Sequence, residues 1–257
     1  MNFVQKMKEN RFLFEELVKR DFTKKYKRTV LGMLWSILGP LMQLGVMALV
    51  FTQFFGRTIN HYTIFLFCGN LIFSYFKEST ASGMLALYGN AGIFSKINVP
   101  KYMFLLSKNV SSLINFGINI LVMFVFCIID GVAFTWKFVL LLYPIGCLVV
   151  FNLGMGLILS ALYVMFHDMK YLYDIFTLLL MYLSAIFYSV EAYSPAMQQL
   201  FNLNPVYVYI SYFRSIILNA TIPSLQTHII AAGYAIAVLL IGALIYKKNN
   251  YKFLYYI

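Results

Sequence analysis

The stretch FEELVKRDFTKKYKRTVLGMLWSILGPL, residues 14–41, decides how the rest of the chain is read. Its first half places Phe14, Val18, Phe22, Tyr26 and Val30 at steps of four, with Arg20, Lys24 and Lys27 off that row. Apolar and basic residues segregated in this way predict an amphipathic helix lying in a membrane interface. A step of four drifts around an ideal helix, so Lys25 falls on the apolar side and Arg28 near its edge, where their long stems reach toward lipid phosphates. The second half opens a run from Thr29 to Phe55 without a charged residue. About twenty apolar residues cross a hydrocarbon core, so this run predicts a first transmembrane helix that follows the interface helix directly.

Composition widens that reading to the whole chain. Of 257 residues, 61% are hydrophobic and only 11% charged, against roughly a quarter charged in soluble domains; the mean hydropathy is +0.78. An integral membrane protein is implied, with room for about six helices and no sizeable soluble domain. The net charge of +11 gathers at helix ends, which speaks for topology and anionic lipid rather than nucleic acid. Cys68, Cys127 and Cys147 lie in apolar runs and offer neither a disulfide framework nor a zinc spacing. A cleavable signal peptide is not expected, because the leading basic region is too long and too acidic.

In order, the predicted spans are Thr29–Phe55, one long helix from Thr63 to Tyr88, Asn109–Ile129, Phe138–Phe166, Tyr171–Val190 and Ile229–Tyr246. Lys77 and Glu78 fall inside the second, either as an internal ionic pair or as an early cytoplasmic exit. Gly154, Gly156 and Ser160 give the fourth the small surface that lets membrane helices approach closely. Residues 89–108 carry Gly, Asn and Pro punctuation and three lysines, predicting a cytoplasmic loop with a short helix. Between Glu191 and Ile222 the apolar sequence is broken by Pro195, Asn202, Asn204, Pro205 and Arg214. Pieces of about ten residues favour re-entrant or interfacial helices over full spans. On this topology sixteen of the 20 Lys and Arg lie inside and three outside (Arg57, Lys137, Arg214), which satisfies the positive-inside rule with both termini cytoplasmic. The predicted fold is therefore an all-α integral membrane protein: one domain over residues 1–257, with a cytoplasmic amphipathic segment (1–28), a six-span bundle (29–246) carrying external re-entrant helices between spans five and six, and a cytoplasmic tail (247–257).

Several chemistries are missing. No Gly-x4-Gly-Lys-[Ser/Thr] loop occurs, so ATP binding in the Walker manner is not expected of this chain. Neither a Ser/His/Asp order, a His-Glu-x-x-His nor paired carboxylates single out catalysis. No metal site is expected. The abundant rings, 25 Phe and 20 Tyr, serve mostly for lipid contact and packing. A minority suits stacking on sugar C–H edges, with Tyr62, Phe65, Tyr182, Tyr188 and Tyr193 as candidates.

Arg20-Asp21, Tyr26, Thr29, Leu31-Gly32, Trp35 and Pro40-Leu41 together resemble the N-terminal signature of ABC-2 type permeases that export cell-surface polysaccharides and teichoic acids. The likeness continues through Phe76 and Glu78, Asn90-Ala91 with Val99-Pro100-Lys101, Asp168, Tyr188, and Asn204-Pro205 with Arg214. His167, Ser184-Ala185 and Lys101 stand where that family has Arg, Thr-Pro and Arg. The resemblance implies a homodimer around a channel in a bacterial plasma membrane. Each copy would dock a separate ATPase subunit, which binds ATP and magnesium, and would pass a lipid-linked polysaccharide. It places Arg20, Asp21, Tyr26, Asn90, Pro100 and Lys101 in coupling, and Trp35, Glu78, Asp168, Tyr188 and Arg214 at gate or channel. Rival readings are an ABC-2 exporter of drugs or simple lipids, a proton-driven transporter using Glu78 and Asp174, and, last, a membrane-embedded transferase.

Overall fold

A computed structural model describes residues 10–27, 29–56, 59–96, 99–251 and 253–256, so Arg28, Arg57 and the first nine residues lie outside the described part. The architecture is all-helical, with no strand among the described residues. Helix α1 (Arg11–Tyr26) leads to a break in which Gly32 adopts φ +53°, and a 3-10 turn at Gly32–Leu34 re-aims the chain into α2 (Trp35–Phe55). Glycine reaches that left-handed conformation without the Cβ penalty of other residues. Then follow α3 (Tyr62–Met84), a one-turn helix Ala91–Phe94, α4 (Tyr102–Ile129), α5 (Leu142–Met165) behind a 3-10 segment Trp136–Leu141, and α6 (Met169–Leu183). Two short helices, α7 (Pro195–Phe201) and α8 (Pro205–Ile217), precede α9 (Leu225–Asn249).

Four segments are long and apolar enough to cross a membrane: Gly32–Phe55, Tyr102–Ile129, Trp136–Met165 and Leu225–Asn249. Those correspond to predicted spans one, three, four and six. The third begins seven residues earlier than expected, since Tyr102–Lys108 continues as helix instead of loop. The predicted second span is α3, of 23 residues; Asn70, Lys77 and Glu78 make it less apolar than the four. The predicted fifth is α6, only 15 residues, about 22 Å long and short of a ~30 Å hydrocarbon core. It stops where Ser184 and Ala185 break the helix, Ala185 standing at φ +50°.

Helix α3 is the axis of the bundle. Ile64, Leu66, Cys68 and Ile72 are fully buried, and α2, α4, α5 and α8 pack around it. Helices α5 and α9 form the tightest pair: a Cβ on Gly154 would stand 2.6 Å from the Leu239 nitrogen, and one on Gly242 2.5 Å from the Gly154 carbonyl oxygen. Gly83 and Gly156 make a second close crossing, between α3 and α5. Small residues thus bring backbones together, as expected for helices that gain nothing from hydrophobic burial against each other in lipid. The broken 191–222 region folds as two proline-initiated helices, and Asn204 caps α8 by accepting from the Val206 and Tyr207 amides. In α8, Tyr209, Tyr212 and Phe213 are fully buried.

Helix α1 docks differently from its four-step apolar row. Leu17 and Asp21 form the buried face, with Tyr26 at the helix end, while Phe14, Val18 and Phe22 flank a shallow groove shared with Val110 and Ile114 of α4. Val30 lies beyond the helix and is fully exposed. The reason is tertiary: Asp21 is drawn inward by one cation, Lys108, and one hydroxyl, Ser107, on α4, and this turns the helix.

Candidate functional site

Two polar knots tie α1 to the bundle. In the first, the Asp21 carboxylate, with a side chain only 2% exposed, accepts from Arg20 Nη2 at 2.8 Å, Lys108 Nζ at 2.9 Å and Ser107 Oγ at 3.1 Å. Arg20 Nη2 also donates to Asn90 Oδ1 at 2.8 Å, and Asn90 Nδ2 donates to the Ala86 carbonyl. A single buried carboxylate thereby joins α1, the turn after α3 and the start of α4. Three donors leave its oxygens well satisfied, which is what allows a charge to stay buried.

The second knot lies further along α4. Lys25 Nζ meets Glu78 Oε2 at 3.0 Å, Asn115 Nδ2 donates to Glu78 Oε1 at 2.9 Å, and Tyr26 Oη donates to Asn115 Oδ1 at 3.0 Å. Glu78 therefore pairs with Lys25 across two helices and not with its neighbour Lys77, which is exposed. The internal ionic pair predicted for α3 is corrected on this point. Lys25 and Asn115 engage both Glu78 oxygens on the side that faces α1 and α4, and Lys77, about 100° further round the helix, points elsewhere.

Of the expected coupling residues, Arg20, Asp21 and Asn90 meet in one cluster and Tyr26 joins the second. Lys101 goes elsewhere. Its ammonium donates to the Asn250 carbonyl at 2.7 Å and lies 5.6 Å from the ring centres of both Phe94 and Phe253. Burial there lowers its pKa from the ordinary lysine value. Pro100 precedes it, and the Pro100 carbonyl accepts the Met103 amide at the start of α4. Phe253, fully buried with Leu17, Phe94 and Phe104, fastens the end of the chain beneath the same loop.

A cavity of about 770 Å³ opens at the other end of α4. His61, before α3, meets Asp130, after α4, at 2.8 Å beside it, and Asp130 is 22 residues from Lys108, about 33 Å along a helix. The cavity is lined by Phe65, Tyr188, Tyr193, Tyr207, Ser211 and Arg214, among others. Arg214 is a clamp: Nε and Nη2 donate to the Phe65 carbonyl, Nη1 to Ala185 at 2.8 Å and Nη2 to Ile186 at 2.9 Å. Its guanidinium carbon stands 3.3 Å from the Phe65 ring centre. One side chain thus holds the left-handed break after α6 against α3.

The other sequence candidates divide. Phe65, Tyr188 and Tyr193 line the cavity, with Tyr193 stacked on Phe201 at 6.1 Å. Tyr62 is buried and donates to the Phe187 carbonyl at 2.8 Å, so it is a packing residue. Tyr182 is 55% exposed on α6, and only its carbonyl, which accepts from Tyr188 Oη, touches the cavity wall. Trp35 is exposed at the start of α2. Asp168 is exposed before α6 and makes no side-chain cap there. Asp174, the second acid of the proton-driven rival, is exposed on α6.

Sequence reasoning passed over Ser107, Lys108, Asn115 and Tyr207. A signal existed for the first and third: Ser107, Ser111, Asn115 and Asn119 recur at steps of four in an apolar helix, and all are buried. Such a polar row inside a span marks a face that meets protein.

Apolar helices around a buried axis, with an N-terminal helix knotted to one end, define a polytopic membrane protein of the all-helical kind. The chain belongs to the ABC-2 type transporter family, which it matches over residues 13–218. It is similar to the O-antigen export system permease protein RfbA of Klebsiella pneumoniae, at 28% identity over 96% of this chain and 97% of that protein. It is 24% identical to the protein of the same name from Myxococcus xanthus, over 98% of each chain. A second Klebsiella pneumoniae RfbA is 26% identical over 96% of this chain and 97% of its own length.

Proposed function

We propose that this chain is the permease subunit of an ABC transporter that exports an O-antigen-type, lipid-linked polysaccharide across a bacterial plasma membrane, driven by a separate ATPase. Family membership and the names of its full-length relatives support the cargo class. The observation that carries the mechanism is the Asp21 knot, which makes α1, the turn after α3 and the start of α4 one mechanical unit. An ATPase that closes beneath such a unit moves it as a rigid body, and packed helices transmit the displacement. Loosely attached loops would absorb it.

On this reading both termini and the knot face the cytoplasm, α3 and α6 complete six spans, and α7 with α8 forms a re-entrant pair at the outer mouth. Two copies pair around a channel. The exposed apolar side chains of α2 (Met42, Val46, Leu49, Phe54) and α6 (Leu172, Ile175, Leu179) are then the surface shared between lipid and the second copy. Co-expression with an ATPase encoded alongside tests the proposal. A purified complex whose hydrolysis rises with O-antigen glycolipid is expected; glycolipid transport by the permease alone, insensitive to vanadate, refutes it.

A further inference from the structure

A buried cation without a carboxylate partner stands at the base of the 770 Å³ cavity. Arg214 is 8% exposed, and its four hydrogen bonds go to three backbone carbonyls. A guanidinium carries five N–H groups, so one on Nη1 has no partner among the described residues. The titratable groups close enough to act on Arg214 are Cys68, Tyr207 and Tyr62, none of them an aspartate or glutamate. Carbonyl dipoles soften the cost of burying that charge but do not neutralise it, and a negative group entering the cavity would.

The walls suit a sugar. Tyr207, Ser211, Arg214 and Ser215 lie on one face of α8 at helical spacing, so that hydroxyls line the cavity with the cation, the Ser215 Oγ already donating to the Ser211 carbonyl at 2.9 Å. The same cavity is lined by Tyr188 and Tyr193, whose rings stand 6.2 Å apart and at 81° to each other. Aromatic faces with hydroxyl and amide donors are the usual surroundings of a saccharide ring, and the volume falls within the roughly 300–1,000 Å³ of small-ligand sites. Glu191 also borders the cavity but is exposed. The negative end of a ligand is therefore favoured at the base and disfavoured at the rim.

We propose that this cavity, within a single copy of the chain, is a subsite for an acidic sugar unit, a saccharide bearing a carboxylate or a phosphate, whose anion meets Nη1 of Arg214. The inference rests on the polysaccharide-export reading and adds the chemical class of the polymer. The test uses the full-length permease in nanodiscs, titrated with digalacturonate, glucose 6-phosphate, maltose and inorganic phosphate by calorimetry. One acidic sugar is expected to bind at least about tenfold more tightly than maltose and than phosphate alone, as for a hydrogen bond to a charged group. Whichever acidic sugar is tighter identifies the anion. Arg214→Gln abolishes binding but also opens the clamp, so Ser211→Phe is the cleaner variant: it fills the cavity and leaves the four clamp bonds in place. It should weaken the acidic sugar at least tenfold. Maltose or phosphate binding as tightly, no binding of any probe at millimolar concentration, or indifference to Ser211→Phe overturns the proposal. The export reading is judged separately by glycolipid-stimulated hydrolysis in the ATPase complex, so either can fail without the other.

Discussion

Replacing Asp21 by alanine removes the one carboxylate that three donors share. Lys108 loses a 2.9 Å partner while its side chain is only 23% exposed, and Ser107 loses a 3.1 Å acceptor in a buried site. A hydrogen bond to a charged group is worth about 1.5–3 kcal/mol and a neutral one about 1. Arg20 adds little, because at 38% side-chain exposure water screens its pair with Asp21 and it keeps Asn90. The expected loss is therefore about 3 kcal/mol, toward the lower end of what breaking a buried ion pair costs. For a chain of this size that is a fall in Tm of about 6–12 °C, readable by thermal unfolding of the detergent-purified permease. Lys108→Ala removes the stranded cation, so the double variant Asp21→Ala, Lys108→Ala should recover about 1–2 kcal/mol relative to the sum of the singles. Strictly additive effects, or an Asp21→Ala protein that melts with the parent, would refute the reasoning that this carboxylate is the tie between α1 and α4. A variant that folds at lower temperature yet loses substrate-stimulated hydrolysis in the ATPase complex would link the tie to coupling.

Other outcomes follow from single contacts. Gly154→Ala places a methyl 2.6 Å from the backbone of α9, so expression and Tm should drop by the equivalent of about 2–3 kcal/mol or more, whereas Gly146→Ala, with open space around it, should be neutral or stabilising by circular dichroism melts. Ala185 is fully buried at φ +50°; Ala185→Val should cost about 2–3 kcal/mol in the same melts, and Ala185→Gly should stay within about 1 kcal/mol of the parent, since relieved strain offsets added chain freedom. Lys101→Ala removes the donor to Asn250 and both ring contacts; hydrogen exchange in peptides covering 246–256 should quicken about fivefold, as for a lost interaction of ~1 kcal/mol, while α5 stays unchanged.

Much of the architecture was legible along the chain because hydropathy, glycine breaks and proline starts act locally. The charge-free run 29–55, the short helix in the loop after α3, the paired helices near Pro195 and Pro205 and the small face of α5 all stand where composition and spacing placed them. Arg20, Asp21 and Asn90 were grouped by the family resemblance and not by composition or spacing, and they meet although 70 residues separate the first from the last. What tertiary structure alone decided is which charge meets which. Asp21 recruits Lys108 and Ser107, Glu78 passes over adjacent Lys77 for Lys25, Lys101 leaves the knot for the chain's end, and Arg214 clamps residues 65, 185 and 186. Burial sets how many residues a helix needs, but a hydrogen bond depends on distances of about 3 Å between segments far apart in sequence, and only the packed bundle brings those segments to such distances.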